Sequence, residues 1–303
     1  MISDSKSGDR ISRWTWLALV FILLVAAGFR FAGLDWDRGY LFHPDERKIL
    51  LVASDLRLPN RLSEFLSPNS PLNPRFFAYG SFPIYLLKAL SAFAPATAFA
   101  VPWSDSRLVG LALLGRALSG AFDLGTIALL FFLARRWYGD KVGLLAAACS
   151  AVTVLQIQLS HFYAVDTLLT FLIVATIFFA ARFADRGQRG DAVLMSVAFG
   201  LAMATKVSAA PLAVPMVVAV VHRGAGERET GRWGEFLPLS HSPALLASIV
   251  RHWCAQIWSA RGPLARVFGV ALALFVVTQP YALLDPIGYF GQVGTESLVA
   301  RGW

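Results

Sequence analysis

The sequence predicts an all-α protein: a polytopic transmembrane helical bundle of about seven spans, with a long outer first loop carrying interfacial helices. Two observations carry that prediction. Of the 303 residues, 56% are hydrophobic and only 15% charged, and mean hydropathy is +0.59. Such a composition would leave large apolar patches wet on a soluble globule. The basic residues behind the net charge of +8 sit mostly in short connectors between apolar runs. That placement points to a bilayer, and away from nucleic acid, as the reason for the basic excess.

The first apolar run, Trp14 to Leu34, follows Lys6, Arg10 and Arg13. Its length near 20 residues favours a retained anchor over the alternative, a secretory signal cleaved near Val25 to Ala27. Trp14, Trp16 and Trp36 mark its interfaces. Further spans are expected near 108–133, 142–159, 167–183, 192–205, 207–221 and 267–284, all within one transmembrane domain. Ala192 to Val221 can be one long tilted helix or two helices broken near Lys206, Pro211 and Pro215; the charges fit two. With a cytoplasmic N-terminus, Arg135, Arg136, Lys141, Arg182, Arg186 and Arg189 then fall inside, whereas the turn from Ser160 to Val165 carries no Lys or Arg. The loop 222–266 falls on the same inner side, and Ala244 to Trp258 within it reads as an amphipathic surface helix. Cys149 and Cys254 offer neither a disulfide framework nor a metal-ligand spacing and are expected to be packing residues.

The outer loop 35–107 holds the most varied chemistry. Pro44 suits the first position of a helix, Asp45 and Glu46 its first turn, and Ile49, Leu50, Val52 and Leu56 follow at helical spacing before Pro59. Phe76 to Phe93 is apolar and aromatic enough to lie along the membrane surface.

Three sets of residues can carry chemistry. In His43-Pro44-Asp45-Glu46, adjacent carboxylates could supply a general base, or could simply complement a helix dipole. His161 and Asp166, in the next outer turn, could bind a metal or orient an acceptor, and Asp166 could equally cap the following helix. Arg75, Arg116 and Lys206 fall near the outer boundary, where they could hold a lipid-linked phosphate or snorkel to headgroups. Arg116 and Asp123, seven apart on one helical face, could also form a polar seam inside the bundle.

In their order and topology these residues resemble the polytopic GT-C glycosyltransferases, in particular the family 39 group of protein O-mannosyltransferases and lipid A aminoarabinose transferases. The resemblance rests on Asp45-Glu46, on Asn73-Pro74-Arg75 through Ser81-Phe82-Pro83-Ile84-Tyr85-Leu86-Leu87, on Gly115-Arg116, on Arg135-Arg136-Trp137-Tyr138-Gly139, on His161 to Asp166 and on Ala204-Thr205-Lys206. It implies transfer of a sugar, with inversion, from a polyprenyl-phosphate donor to a lipid, glycan or protein hydroxyl at the outer face of a bacterial inner membrane. Asp45 would be the base, Glu46 its support, and Arg75 and Lys206 the donor-phosphate ligands, joined by Arg116. Members of the group usually continue into further helices, so the chain is expected to be an N-terminal portion. A divalent metal stays open as a cofactor, depending on whether His43, Glu46, His161 and Asp166 converge. The competing classes are a non-enzymatic lipid-binding or transport protein and an inactive fragment of the transferase.

Overall fold

The computed structural model describes residues 11–93, 106–226 and 253–299, and among these every regular element is helical. In chain order the helices are α1 (Arg13–Phe31), α2 (Pro44–Asp55), α3 (Leu62–Phe65), α4 (Phe82–Ser91), α5 (Ser106–Tyr138), α6 (Asp140–Ala151), α7 (Val154–Ser160), α8 (Val165–Arg186) and α9 (Arg189–Thr205). A 3-10 turn (Val207–Leu212), α10 (Ala213–Gly226), α11 (Arg261–Thr278), α12 (Tyr281–Leu284) and α13 (Pro286–Val299) follow. Residues 253–259 are also helical. The rest of the expected surface helix Ala244 to Trp258 lies outside the described residues.

Among the described residues, five stretches are long and apolar enough to cross a membrane: Arg13–Phe31, Leu108–Tyr138, Val165–Arg186, Val207–Gly224 and Arg261–Thr278. Helices α6 and α7 make a sixth if counted together, and the 17-residue α9 packs between α8 and α11. The expected span over 142–159 falls on the α6–α7 pair, and the chain breaks after Ala151 so that the two pieces are bent by 58°. The physical reason lies in the carbonyls that a helix end leaves unsatisfied. Arg30, fully buried on α1, donates to the carbonyls of Ala151 at 2.6 Å and Ser150 at 3.1 Å, while its Nε pairs with Asp123 of α5 at 2.6 Å. Gln156 of α7 donates to the same carboxylate at 3.3 Å. Asp123 therefore pairs with Arg30, and the expected seam with Arg116 does not form.

The break at Lys206 is present: its backbone is extended between α9 and the 3-10 turn that contains Pro211. Two helices, as the charges suggested, run in opposite directions across it. Gly187, just past α8, packs so closely under Arg223 near the end of α10 that a Cβ there would lie 2.3 Å from the guanidinium Nε. The start of α9 and the end of α10 therefore share one end of the bundle.

That end is tied by charge. Asp140 accepts from Thr15 at 2.8 Å and from Arg135 at 2.6 Å, Arg136 pairs with Asp185, and Arg182 pairs with Asp191 at 2.9 Å. Gly139, at φ +83°, makes the turn from α5 into α6 that brings Arg135 and Asp140 together. The opposite end holds the outer loop, whose α2 and α4 are seated on α5. Ile49, Leu50 and Ala53 of α2, Ile84 and Leu87 of α4, and Leu111 and Ala112 of α5 form one buried cluster with Tyr163. The expected surface segment Phe76 to Phe93 is helical only over α4, and its Ile84 and Leu87 face protein. Both cysteines are exposed, contrary to the expectation that they pack inside.

Replacing Asp123 with Ala should strand the buried Arg30 charge and cost about 3–5 kcal/mol. Thermal unfolding of the detergent-solubilised variant, expected to lie well below wild type, checks this.

Candidate functional site

The site is built around an ion cluster that decides which acid faces which way. Arg116 of α5 is buried, as are Asp37 and Glu46, at 1%, 3% and 0% exposure. Its Nη1 and Nη2 donate to the two oxygens of Asp37 at 2.9 and 2.7 Å, and its Nε and Nη2 to those of Glu46 at 2.8 and 2.7 Å. Nη1 also donates to the Leu34 carbonyl at 2.7 Å. Two carboxylates against one guanidinium leave acceptor capacity over, and backbone N–H groups fill it: Gly39 and Leu41 donate to Asp37, and Tyr163 donates to Glu46. Arg38 and Leu41 adopt left-handed backbone to deliver those groups, a strained arrangement that the cluster holds in place. Burial opposes ionisation of Asp37, but Arg116 outweighs it and holds the carboxyl below its ordinary value. The stabilisation is therefore complete above about pH 4 and is lost as pH falls through the depressed folded value.

This cluster sets the surroundings of two of the expected site residues. Arg116 is occupied by two carboxylates and a carbonyl. Glu46 is fully buried against Arg116 and the Tyr163 N–H. Successive helical residues point about 100° apart, so anchoring Glu46 inward turns its neighbour Asp45 elsewhere.

Asp45 is half-buried and lies close enough to the Tyr79 hydroxyl to act on its ionisation. The charges of Asp166 and Glu296 also act on Tyr79. Burial first, and then the nearby Asp45 carboxylate, push the Tyr79 phenol well above its ordinary value, so it remains neutral at any working pH. The Lys206 ammonium lies 5.7 Å from the centre of the Tyr79 ring and 4.0 Å from an Asp166 oxygen. Lys206 and Asp166 are both partly exposed, at 38% and 45%, so this cation, unlike Arg116, can be reached. Asp166 sits in the first turn of α8, whose N-cap is Ala164 with no side-chain cap, so the capping reading of Asp166 fails.

Backbone contacts fix the Tyr79 loop. Gly80 donates to the Thr205 carbonyl at 2.8 Å, beside Lys206, and Ser81 donates to the Gln279 side chain at 3.1 Å. A Cβ on Gly80 would lie 1.7 Å from the Ala204 carbonyl oxygen, so only glycine permits the approach. Gln292 of α13 clamps the same loop, accepting from Phe77 N–H at 2.7 Å and donating to the Arg75 carbonyl at 3.1 Å.

The remaining expected residues are placed as follows. Arg75, exposed and in left-handed backbone, sits four residues before Tyr79 and donates to Asn69 at 3.2 Å. His43 caps α2 by accepting the Glu46 N–H, and its ring packs on Phe162. His161 places its ring nitrogens 2.8 Å from the Ile157 carbonyl and 2.9 Å from the Ala32 carbonyl, joining α7 to the end of α1. Neither histidine is aimed at Asp45, and among the described residues no three His, Cys, Asp or Glu side chains gather as a metal site. Asp37 and Tyr79 were missed. The only sequence signals were an acid directly after the first span and a tyrosine ahead of a glycine.

Residues 112–253, just under half of the chain, match the family model of dolichyl-phosphate-mannose-protein mannosyltransferase. No curated protein matches the chain.

Gly80→Ala should push the Tyr79 loop off α9, destabilising the protein by about 3 kcal/mol as other overpacked contacts do. A lowered melting temperature, together with increased protease cleavage between residues 69 and 81, checks this.

Proposed function

We infer that this chain is a membrane glycosyltransferase of the GT-C type, from the family-model match over residues 112–253 and from the geometry around Asp45. The proposed reaction moves a sugar from a polyprenyl-phosphate donor to a hydroxyl of a lipid, glycan or protein acceptor, with inversion. One observation supports it above the rest: a carboxylate and an accessible ammonium lie beside the same tyrosine, with Asp45 near enough to the Tyr79 hydroxyl to act on its ionisation and Lys206 beside its face.

In this reading the acceptor oxygen attacks the anomeric carbon from the side opposite the phosphate. The acceptor proton passes to Asp45, and the bond from the anomeric carbon to the phosphate oxygen breaks. The electron pair leaves on the lipid phosphate, whose growing charge Lys206 stabilises. Such a base typically contributes about 10²–10⁴-fold, and a cation fixed at the developing charge acts where it is worth most. Tyr79 holds the Asp45 carboxylate in line, and Asp166 restrains the Lys206 head. Arg75, on the same loop, is a second candidate for the donor phosphate.

The outer face of a bacterial cytoplasmic membrane is the proposed location. The arginines of the α5–α6 and α8–α9 connectors cluster at the end away from Asp45, which fits a cytoplasmic side there.

Transfer of labelled sugar from a polyprenyl phosphate by membranes carrying the full-length protein tests the reading. Asp45→Asn is expected to lower kcat by at least about 10²-fold while the protein stays membrane-inserted. Lys206→Met is expected to lower kcat and kcat/KM by about tenfold or more, the loss of one charge-assisted contact at the developing charge. Wild-type turnover in Asp45→Asn would remove the base assignment, and donor binding without any transfer would favour a lipid-binding protein.

A further inference from the structure

At the end of the bundle away from Asp45, the first turns of α9 and α11 part below a very close contact. A Cβ on Gly200 would lie 2.6 Å from the Ala271 carbonyl oxygen, and Phe199 meets Phe268 edge to face at 6.0 Å. On the arginine-rich side of that contact lies a cavity of about 1050 Å³, bounded also by the end of α10. Ligand pockets commonly run to about 300–1,000 Å³, so this one admits a large molecule.

The lining is divided by chemistry. Val267 is buried at its floor, while Val193 and Val270, at 49% and 37% exposure, form an apolar edge on the outside of the bundle. Arg189 and Arg266 are exposed at the rim, and Arg223 lies half-buried in the wall. Among the described residues, three arginines and no carboxylate line the cavity. Guanidinium forks match phosphate oxygens, and an apolar edge facing the bilayer matches acyl chains. One chemistry satisfies both halves.

We propose that this cavity binds an anionic phospholipid, with its phosphate held by Arg189 and Arg266 and its acyl chains laid along Val193 and Val270. A free anion would leave the apolar edge without a partner, and a zwitterionic lipid would carry a second charge of the wrong sign toward the arginines. The site is separate from the Asp45 chemistry and does not depend on it.

Native mass spectrometry of the purified full chain in mild detergent tests the proposal, with phosphatidylglycerol and phosphatidylcholine of identical acyl chains as probes. Retention of phosphatidylglycerol is expected to exceed that of phosphatidylcholine by about tenfold or more, and to fall to the phosphatidylcholine level in Arg189→Gln/Arg266→Gln. Val270→Trp, which fills the edge and leaves the charges in place, should also lose the adduct, and provides a second test should the double variant fold poorly. Excess inorganic phosphate should not displace the lipid. Equal retention of the two lipids, unchanged retention in both variants, or displacement by inorganic phosphate would each overturn the proposal.

Discussion

The outer half of this protein depends on one guanidinium. Arg116 draws Asp37, from the loop after α1, and Glu46, from α2, onto the middle helix of the bundle, in a setting that excludes water. Burying three ionised groups costs several kcal/mol per ion, and the geometry offsets this only because every remaining oxygen has a donor. Those donors are backbone groups of Gly39, Leu41 and Tyr163, so the cluster also fixes the turn after α1 and the turn before α8. The aromatic and aliphatic contacts of α2 and α4 add area, but area alone would not choose which of two adjacent acids points inward. The ion cluster makes that choice, and Asp45 is directed at Tyr79 as a result.

The helical bundle was legible because composition and connector charge answer to the bilayer, a solvent that leaves few alternatives to helices. The position of the Lys206 break was legible too, from two prolines and a run of small residues. The division of labour between Asp45 and Glu46 was not. It depends on Arg116, 70 residues further on, which also draws in Asp37, and nothing in the local sequence announces that pairing. Arg116 and Lys206 looked alike as cations at a boundary, and only burial separates the anchor from the accessible group. The bend at Val152 was hidden for a related reason: its carbonyls are satisfied by Arg30, more than 100 residues earlier, so nothing local announces a helix end. Tyr79 was concealed in an aromatic run that reads as membrane surface, and its placement comes from the Gly80 contact with α9.

Both ends of the bundle use charge, in different ways. At one end the arginines are paired across connectors or gathered around an apolar cavity, and they tie helix ends to one another and to the bilayer. At the other, acids outnumber bases around Tyr79, and the accessible Lys206 stands beside a carboxylate that can accept a proton. The proposed reaction would draw on this asymmetry: rigid, neutralised charge in the scaffold and a small amount of accessible charge near Asp45. The buried cluster lets the two coexist within one turn of α2.

The central claim is therefore that two neighbouring carboxylates do unlike work, Glu46 holding the fold while Asp45, the proposed base, does not. Melting temperatures of Glu46→Gln and Asp45→Asn, measured side by side in the same detergent, test it most directly. Glu46→Gln should lose on the order of 3–5 kcal/mol and melt several degrees lower, whereas Asp45→Asn should stay within about 0.5 kcal/mol of wild type. Equal melting temperatures, or a larger loss in Asp45→Asn, would contradict the account.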